Sequence, residues 1–218
     1  MPSKKRDLPG APPALRKGVE PALCGCYDGS DRAVFIKAEA QPPLKPSFRL
    51  RQQNPCGRKK MLYYVEFGLS HREVPDERSL CIYISGCRNH CENCHYPELQ
   101  RPDYGYPLLE NYRKMLDLYW RAASCVCFLG EGRGTLSERK ELVLYSAYAH
   151  TRGLKTCLYS GRDTFIEEWM ETFDYIKTGS YRPELGPLSS PRTNQRMYRK
   201  SGGVYINVTE EFQPGPDF

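Results

Sequence analysis

The sequence predicts an α/β protein, an open partial (β/α) barrel of parallel strands with a C-terminal β-hairpin, behind a basic Pro-rich extension at residues 1–60. Two observations carry this prediction. From Met61 onward, strand-like and helix-like apolar patterns alternate, which implies successive β-α-β units with right-handed crossovers. The alternating part spans about 120 residues, whereas a closed eight-stranded barrel takes roughly 250. Only an open sheet fits that length, so 61–218 is expected to form one domain.

The extension differs in kind. It carries 13 Lys or Arg against 5 Asp or Glu, while residues 61–218 carry 19 against 21, so the excess behind the net charge of +6 lies entirely in 1–60. Pro-Gly-Ala-Pro-Pro at 9–13 and Gln-Pro-Pro-Leu-Lys-Pro at 41–46 add to a composition that favours disorder, with only Ala33 to Ile36 reading as a strand. A solvated tail and a basic arm for an acidic partner both fit this charge run. The nearly neutral body argues against nucleic acid as the main partner. Met61 immediately precedes the first strand of the body, which leaves open whether the upstream residues belong to the natural start.

Within the body, Leu62 to Phe67 reads as an edge strand and Leu80 to Ser85 as a buried one. Leu108, Leu109, Tyr112, Met115, Leu116, Tyr119 and Trp120 recur at helical spacing. Cys125 to Leu129 is a short strand, and Thr135-Leu136-Ser137-Glu138 is a capping box opening a helix that ends near Gly153. Leu154 to Tyr159 is the next strand. Asp163 or Thr164 is placed to cap a helix over Phe165 to Phe173, and Tyr175 to Thr178 follows as a strand. Residues 180–193 read as a loop. Gln195 to Arg199 and Val204 to Val208, joined through Lys200-Ser201-Gly202-Gly203, form a hairpin expected on the sheet edge.

In a parallel α/β sheet the loops after the strands gather at one mouth, where ligands bind. Here those loops are Gly86-Cys87, Gly130-Glu131-Gly132, Ser160-Gly161-Arg162 and Thr178-Gly179-Ser180, each with a glycine that permits a tight turn or a close approach. The second partly mimics a dinucleotide fingerprint. Thr135 replaces its third glycine, and no acidic residue follows the next strand at the expected distance, which argues against that reading.

No run approaches 18 apolar residues, so no membrane span is expected. The start Met1-Pro2-Ser3-Lys4-Lys5-Arg6 leads into Pro-rich sequence rather than an apolar core, which predicts no signal peptide and a cytoplasmic protein. Ten cysteines in such a chain point to metal or buried thiols rather than disulfides. Cys125 and Cys127 alternate on one strand, and Cys81 and Cys157 also lie within strands, the usual setting of small buried thiols. Cys24, Cys26 and Cys56 are too sparse for a site.

The remaining three stand apart. Cys87, Cys91 and Cys94 in Ser85-Gly86-Cys87-Arg88-Asn89-His90-Cys91-Glu92-Asn93-Cys94-His95 have C-x-x-x-C-x-x-C spacing on one loop. Three thiolates so placed can hold three corners of a cubic iron–sulfur cluster, with the fourth iron left open. A closed zinc site with His90 or His95 as fourth ligand is the alternative, although structural zinc motifs usually bring a second ligand pair and none follows.

That spacing, followed by the aromatic His95, resembles the radical S-adenosylmethionine superfamily. Residues 61–218 further resemble the activating proteins of anaerobic ribonucleoside-triphosphate reductase. The residues that carry this are Val74-Pro75-Asp76-Glu77-Arg78-Ser79-Leu80 before the cysteine loop and Cys91-Glu92-Asn93-Cys94-His95-Tyr96-Pro97-Glu98-Leu99 within it. Asp174-Tyr175-Ile176-Lys177-Thr178-Gly179-Ser180-Tyr181, Glu184-Leu185-Gly186 and Ser190-Pro191-Arg192-Thr193-Asn194-Gln195-Arg196 extend it to the C-terminal part. The resemblance implies a [4Fe–4S] cluster on Cys87, Cys91 and Cys94, with S-adenosyl-L-methionine as cofactor. Asn93, Cys94 and His95 would contact that cofactor, His95 and Asn93 against its adenine, and Gly130 and Glu131 would meet the ammonium of its methionine part. It implies an oxidoreductase that makes a glycyl radical on the reductase with electrons from a low-potential donor such as flavodoxin. An activase of another glycyl-radical enzyme and a non-catalytic zinc-binding interaction module are the rival functions.

Overall fold

The computed structural model describes residues 35–37, 61–102 and 104–213. Expectations for the rest of the extension, including Cys24, Cys26 and Cys56, fall outside those residues. Within the extension, the strand read at Ala33 to Ile36 is found as β1 (Phe35–Lys37).

The body continues with β2 (Tyr63–Ser70), β3 (Ser79–Ile84), β4 (Tyr106–Pro107), α1 (Leu108–Tyr119), β5 (Cys125–Leu129), α2 (Leu136–Thr151), β6 (Lys155–Tyr159), β7 (Tyr175–Thr178), β8 (Arg196–Ser201) and β9 (Val204–Asn207). Among the described residues nine strands form one open mixed sheet in the order β1-β2-β3-β5-β6-β7-β8-β9, with β4 attached to β2. The centre, β3-β5-β6-β7, is parallel. Both flanks are antiparallel, β2 on β3 and β8 on β7. The expected run of parallel strands is observed as a four-stranded centre inside a larger, open mixed sheet. β2 is also no edge, because β1 and β4 pair along the side that β3 leaves.

β3 reads Ser-Leu-Cys-Ile-Tyr-Ile and is buried at all six positions, as a central parallel strand covered on both faces must be. One face of the sheet, with Leu80, Ile82, Ile84, Val126, Phe128, Leu158 and Ile176, packs against the helices. The other carries Cys81, Tyr83, Cys125, Cys127, Cys157 and Tyr175. In β2 a bulge between Tyr64 and Phe67 shifts the register. Phe67 thereby joins Tyr64 against the helix-side core, while the intervening Glu66 is buried and accepts a hydrogen bond from the Tyr96 hydroxyl.

α1 buries Leu108, Tyr112, Met115 and Leu116. Leu109 and Trp120, which share the apolar spacing in sequence, are 59% and 43% exposed and fall off that stripe. α2 begins with the expected capping box: Glu138 N donates to Thr135 Oγ1 at 3.4 Å and Thr135 N to Glu138 Oε2 at 3.0 Å. The helix expected over Phe165 to Phe173 is not there. In its place stands a 3-10 turn at Glu168–Thr172, with Phe165 94% exposed. Asp163 does not cap this segment, because its carboxylate accepts from Ser180 N and Oγ, Arg182 and Asn194. Glu167, at the N-cap of that turn, is held by Arg139 and Arg162, and its side chain makes no capping hydrogen bond.

The C-terminal hairpin lies on the β7 edge as expected, turning at Gly202 and Gly203 with φ of 58° and 84°, the mirror-image geometry that two-residue hairpin turns require. No helix among the described residues is long and apolar enough to cross a membrane.

Candidate metal centre and cofactor cavity

The cysteine loop leaves the carboxyl end of β3 and folds back at once. The backbone amides of Gly86 and Cys87 both donate to the Leu99 carbonyl, at 2.7 and 2.8 Å, so the 3-10 turn Pro97–Gln100 clamps the start of the loop. His90 and Asn93 take left-handed φ of 46° and 54°, which bends the chain tightly between the cysteines. Tyr96 anchors the far side, its ring 4.9 Å from that of Tyr83 and its hydroxyl on Glu66.

This shape turns Cys87, Cys91 and Cys94 onto one cavity of about 440 Å3, all three as free, half-buried thiols. Burial pushes the Cys87 thiol above its usual range, and the neighbouring Cys91, Cys94 and Glu131 charges push the same way. A metal bound here must displace protons. The other walls are the loops after β5, β6 and β7, represented by Gly130, Glu131, Gly161, Arg162 and Gly179, with Tyr96, Tyr159, Tyr181 and Lys177. The four glycine-bearing loops of the sequence thus meet. At Gly161 the cysteine loop comes close, since a Cβ there would meet Asn89 Nδ2 at 1.9 Å and that side chain would have to move.

The predicted cofactor contacts divide. Cys94, Gly130 and Glu131 line the cavity; Asn93 and His95 do not, and both are exposed. His95 approaches the wall only through Tyr181, ring to ring at 6.1 Å. Glu131 is buried and already occupied. Arg162 Nε lies 3.2 Å from Glu131 Oε2 and Arg162 Nη2 3.2 Å from Oε1, a two-pronged pair. Arg162 Nη2 also meets Glu167 Oε1 at 2.6 Å, and Arg139 completes the chain on Glu167 at 2.8 Å. A ligand ammonium at Glu131 therefore has to share this carboxylate with a guanidinium.

Sequence reasoning gave no site role to Arg162, Tyr96, Tyr159, Tyr181 or Lys177. For Lys177 a signal exists: a lysine in a strand buried at all four positions, in phase with the inward Tyr175 and two residues before the mouth glycine. Burial pushes its ammonium down to about 8. Neither histidine offered as a zinc ligand lines the cavity, and His90 Nδ1 is 3.1 Å from Gln100 Oε1. No family model, curated protein or solved structure matches this chain.

Proposed function

We propose that residues 61–218 form a radical S-adenosylmethionine domain, its sheet serving as an open partial (β/α) barrel, and that it activates the glycyl-radical subunit of anaerobic ribonucleotide reductase in the cytoplasm. The observation that carries this reading is the convergence of three free thiols from one loop on a cavity also walled by the glycine loops of the neighbouring parallel strands.

The donor set fits a [4Fe–4S] group. Cys87, Cys91 and Cys94 would hold three irons, and the other described cysteines are buried within strands away from that cavity wall. The remaining iron would be open to S-adenosyl-L-methionine. The chemistry supplied there would be reductive cleavage of that cofactor, with an electron from a donor such as flavodoxin, to methionine and a 5′-deoxyadenosyl radical that would take hydrogen from a glycine α-carbon. The chain's own part is placement and exclusion of solvent. Tyr96, Tyr159, Tyr181, Leu99 and Leu129 give the cavity its apolar walls, while Glu131 and Arg162 put paired charges on one side of it. Hydrogen abstraction needs no side-chain acid or base.

The zinc-module alternative is weakened by the placement of His90 and His95 outside the cavity. The test is anaerobic reconstitution with iron and sulfide, then incubation with S-adenosyl-L-methionine and dithionite. Formation of 5′-deoxyadenosine and methionine is expected; a fully loaded protein that forms neither contradicts the reading. Adding the reductase then tests the partner, through the electron paramagnetic resonance doublet of its glycyl radical.

A further inference from the structure

Five charged residues are buried among the described residues: Glu66, Glu77, Glu131, Glu138 and Lys177. Each of the four carboxylates has a charged or hydroxyl donor, namely Tyr96 for Glu66, Lys155 and Tyr175 for Glu77, Arg162 for Glu131 and Arg133 for Glu138. Lys177 differs. Its ammonium donates to the Gly179 carbonyl at 3.1 Å and lies 5.7 Å from the centre of the Tyr159 ring, and among the described residues no carboxylate stands within 4.0 Å of it. A buried ammonium with donors to spare and no carboxylate within ion-pair distance is costly, so its place at a cavity wall points to an anion received there.

Two anions are available under the reading above: the carboxylate of the cofactor and the cluster itself. With three thiolates a [4Fe–4S] cluster carries one net negative charge when oxidised and two when reduced. Lys177 faces the same cavity as Cys87, Cys91 and Cys94. A fixed positive charge beside a group that gains an electron favours the reduced form. We propose that Lys177 is the counter-charge of the cluster in this cavity and raises the cluster's reduction potential. This rests on the assignment of Cys87, Cys91 and Cys94 as cluster ligands. Lys177 is a tuning residue in this account and touches no reacting atom.

The experiment compares full-length wild type with Lys177→Met, Lys177→Gln and Lys177→Arg after anaerobic reconstitution. Iron and sulfide are counted first, then the midpoint potential is measured by titration followed through electron paramagnetic resonance, without S-adenosyl-L-methionine. Binding of that cofactor to the oxidised protein is measured separately by equilibrium dialysis. We expect full clusters throughout, a midpoint shifted to more negative potential in the Met and Gln variants, a near-normal midpoint in Arg, and cofactor affinity changed by less than about threefold. If the neutral variants fold but take up no iron while Arg loads fully, a positive charge at this position is needed for the cluster, which also supports the proposal. Unchanged midpoints in the neutral variants overturn it, and an unchanged midpoint with a tenfold fall in affinity assigns Lys177 to the cofactor carboxylate instead. Loss of loading in the Arg variant as well makes the residue structural and also overturns it. A wild type that binds no iron or sulfide fails at the cluster, which is a failure of the underlying assignment and is seen before any potential is read.

Discussion

The seven described cysteines divide between two regions whose chemistry is opposite. Cys87, Cys91 and Cys94 sit on one loop, half-buried and facing a cavity. Cys81, Cys125, Cys127 and Cys157 sit in strands, fully buried, with Cys81, Cys127 and Cys157 side by side across three neighbouring strands. In the strands, burial pushes the thiols of Cys81, Cys125 and Cys127 well above the usual range and that of Cys157 up to about 11. Thiols held protonated in an apolar layer are poor ligands and behave as small hydrophobes. Backbone placement, not residue type, decides which cysteines can serve a metal.

The largest effect expected from this contrast is in the loop. Cys87→Ala, Cys91→Ala or Cys94→Ala should each abolish cluster assembly and cofactor cleavage, read as iron content and 5′-deoxyadenosine formed. Cys127→Ala should keep both. A Cys91→Ala protein with a full cluster would break the division between the regions.

The second prediction concerns the pair that borders the cavity. Arg162→Met leaves the buried Glu131 without its guanidinium and should cost about 1–2 kcal/mol, less than for a fully buried pair because the Arg162 side chain is 34% exposed. Glu131→Gln removes the carboxylate itself and leaves Arg162 on Glu167, so its cost should be under about 1 kcal/mol. Urea unfolding of the metal-free variants measures both, and the reverse order would show that Glu131 is held by something other than Arg162.

A smaller loss is expected within the strands. Cys127→Ser puts a hydroxyl into the sulfur-lined layer and should cost about 1 kcal/mol with no change in iron content. A variant that folds normally but loads no iron would tie the two regions together.

The smallest effect lies at the end of the strand layer remote from the cavity. Glu77 accepts from Lys155 at 2.5 Å and Tyr175 at 3.0 Å. Burial alone would raise its carboxyl, but the hydrogen bonds from Lys155, Ser124 and Tyr175 outweigh it and hold it below the usual range. A carboxyl lowered in the folded state adds stability above its unfolded pKa and loses it as pH falls through the folded value. Glu77→Gln should therefore flatten the acid limb of the stability curve below about pH 4.5. An unchanged limb in thermal melts from pH 3 to 6 would contradict this.

The parts of the fold legible in sequence are those fixed locally. The capping box of Thr135 and Glu138, the continuous apolar runs of β3 and β5, the Gly202-Gly203 turn and the spacing of the loop cysteines all act through neighbours in the chain. What escaped depends on distant partners. Asp163 resembles a helix cap until Ser180, Arg182 and Asn194 claim it. Glu131 resembles a free ligand until Arg162 reaches it from the next loop. The bulge that turns Glu66 toward Tyr96, and the pairing of Phe35–Lys37 along β2, also need the assembled sheet.

The central claim is that Cys87, Cys91 and Cys94 hold a cluster with one iron open to S-adenosyl-L-methionine. The most direct measurement is the metal and sulfide content of the anaerobically reconstituted chain, with the electron paramagnetic resonance spectrum of its reduced form before and after that cofactor is added. The account predicts about four irons and four sulfides per chain and a spectrum that changes on addition. One zinc without sulfide, or a full cluster whose spectrum ignores the cofactor, would contradict it.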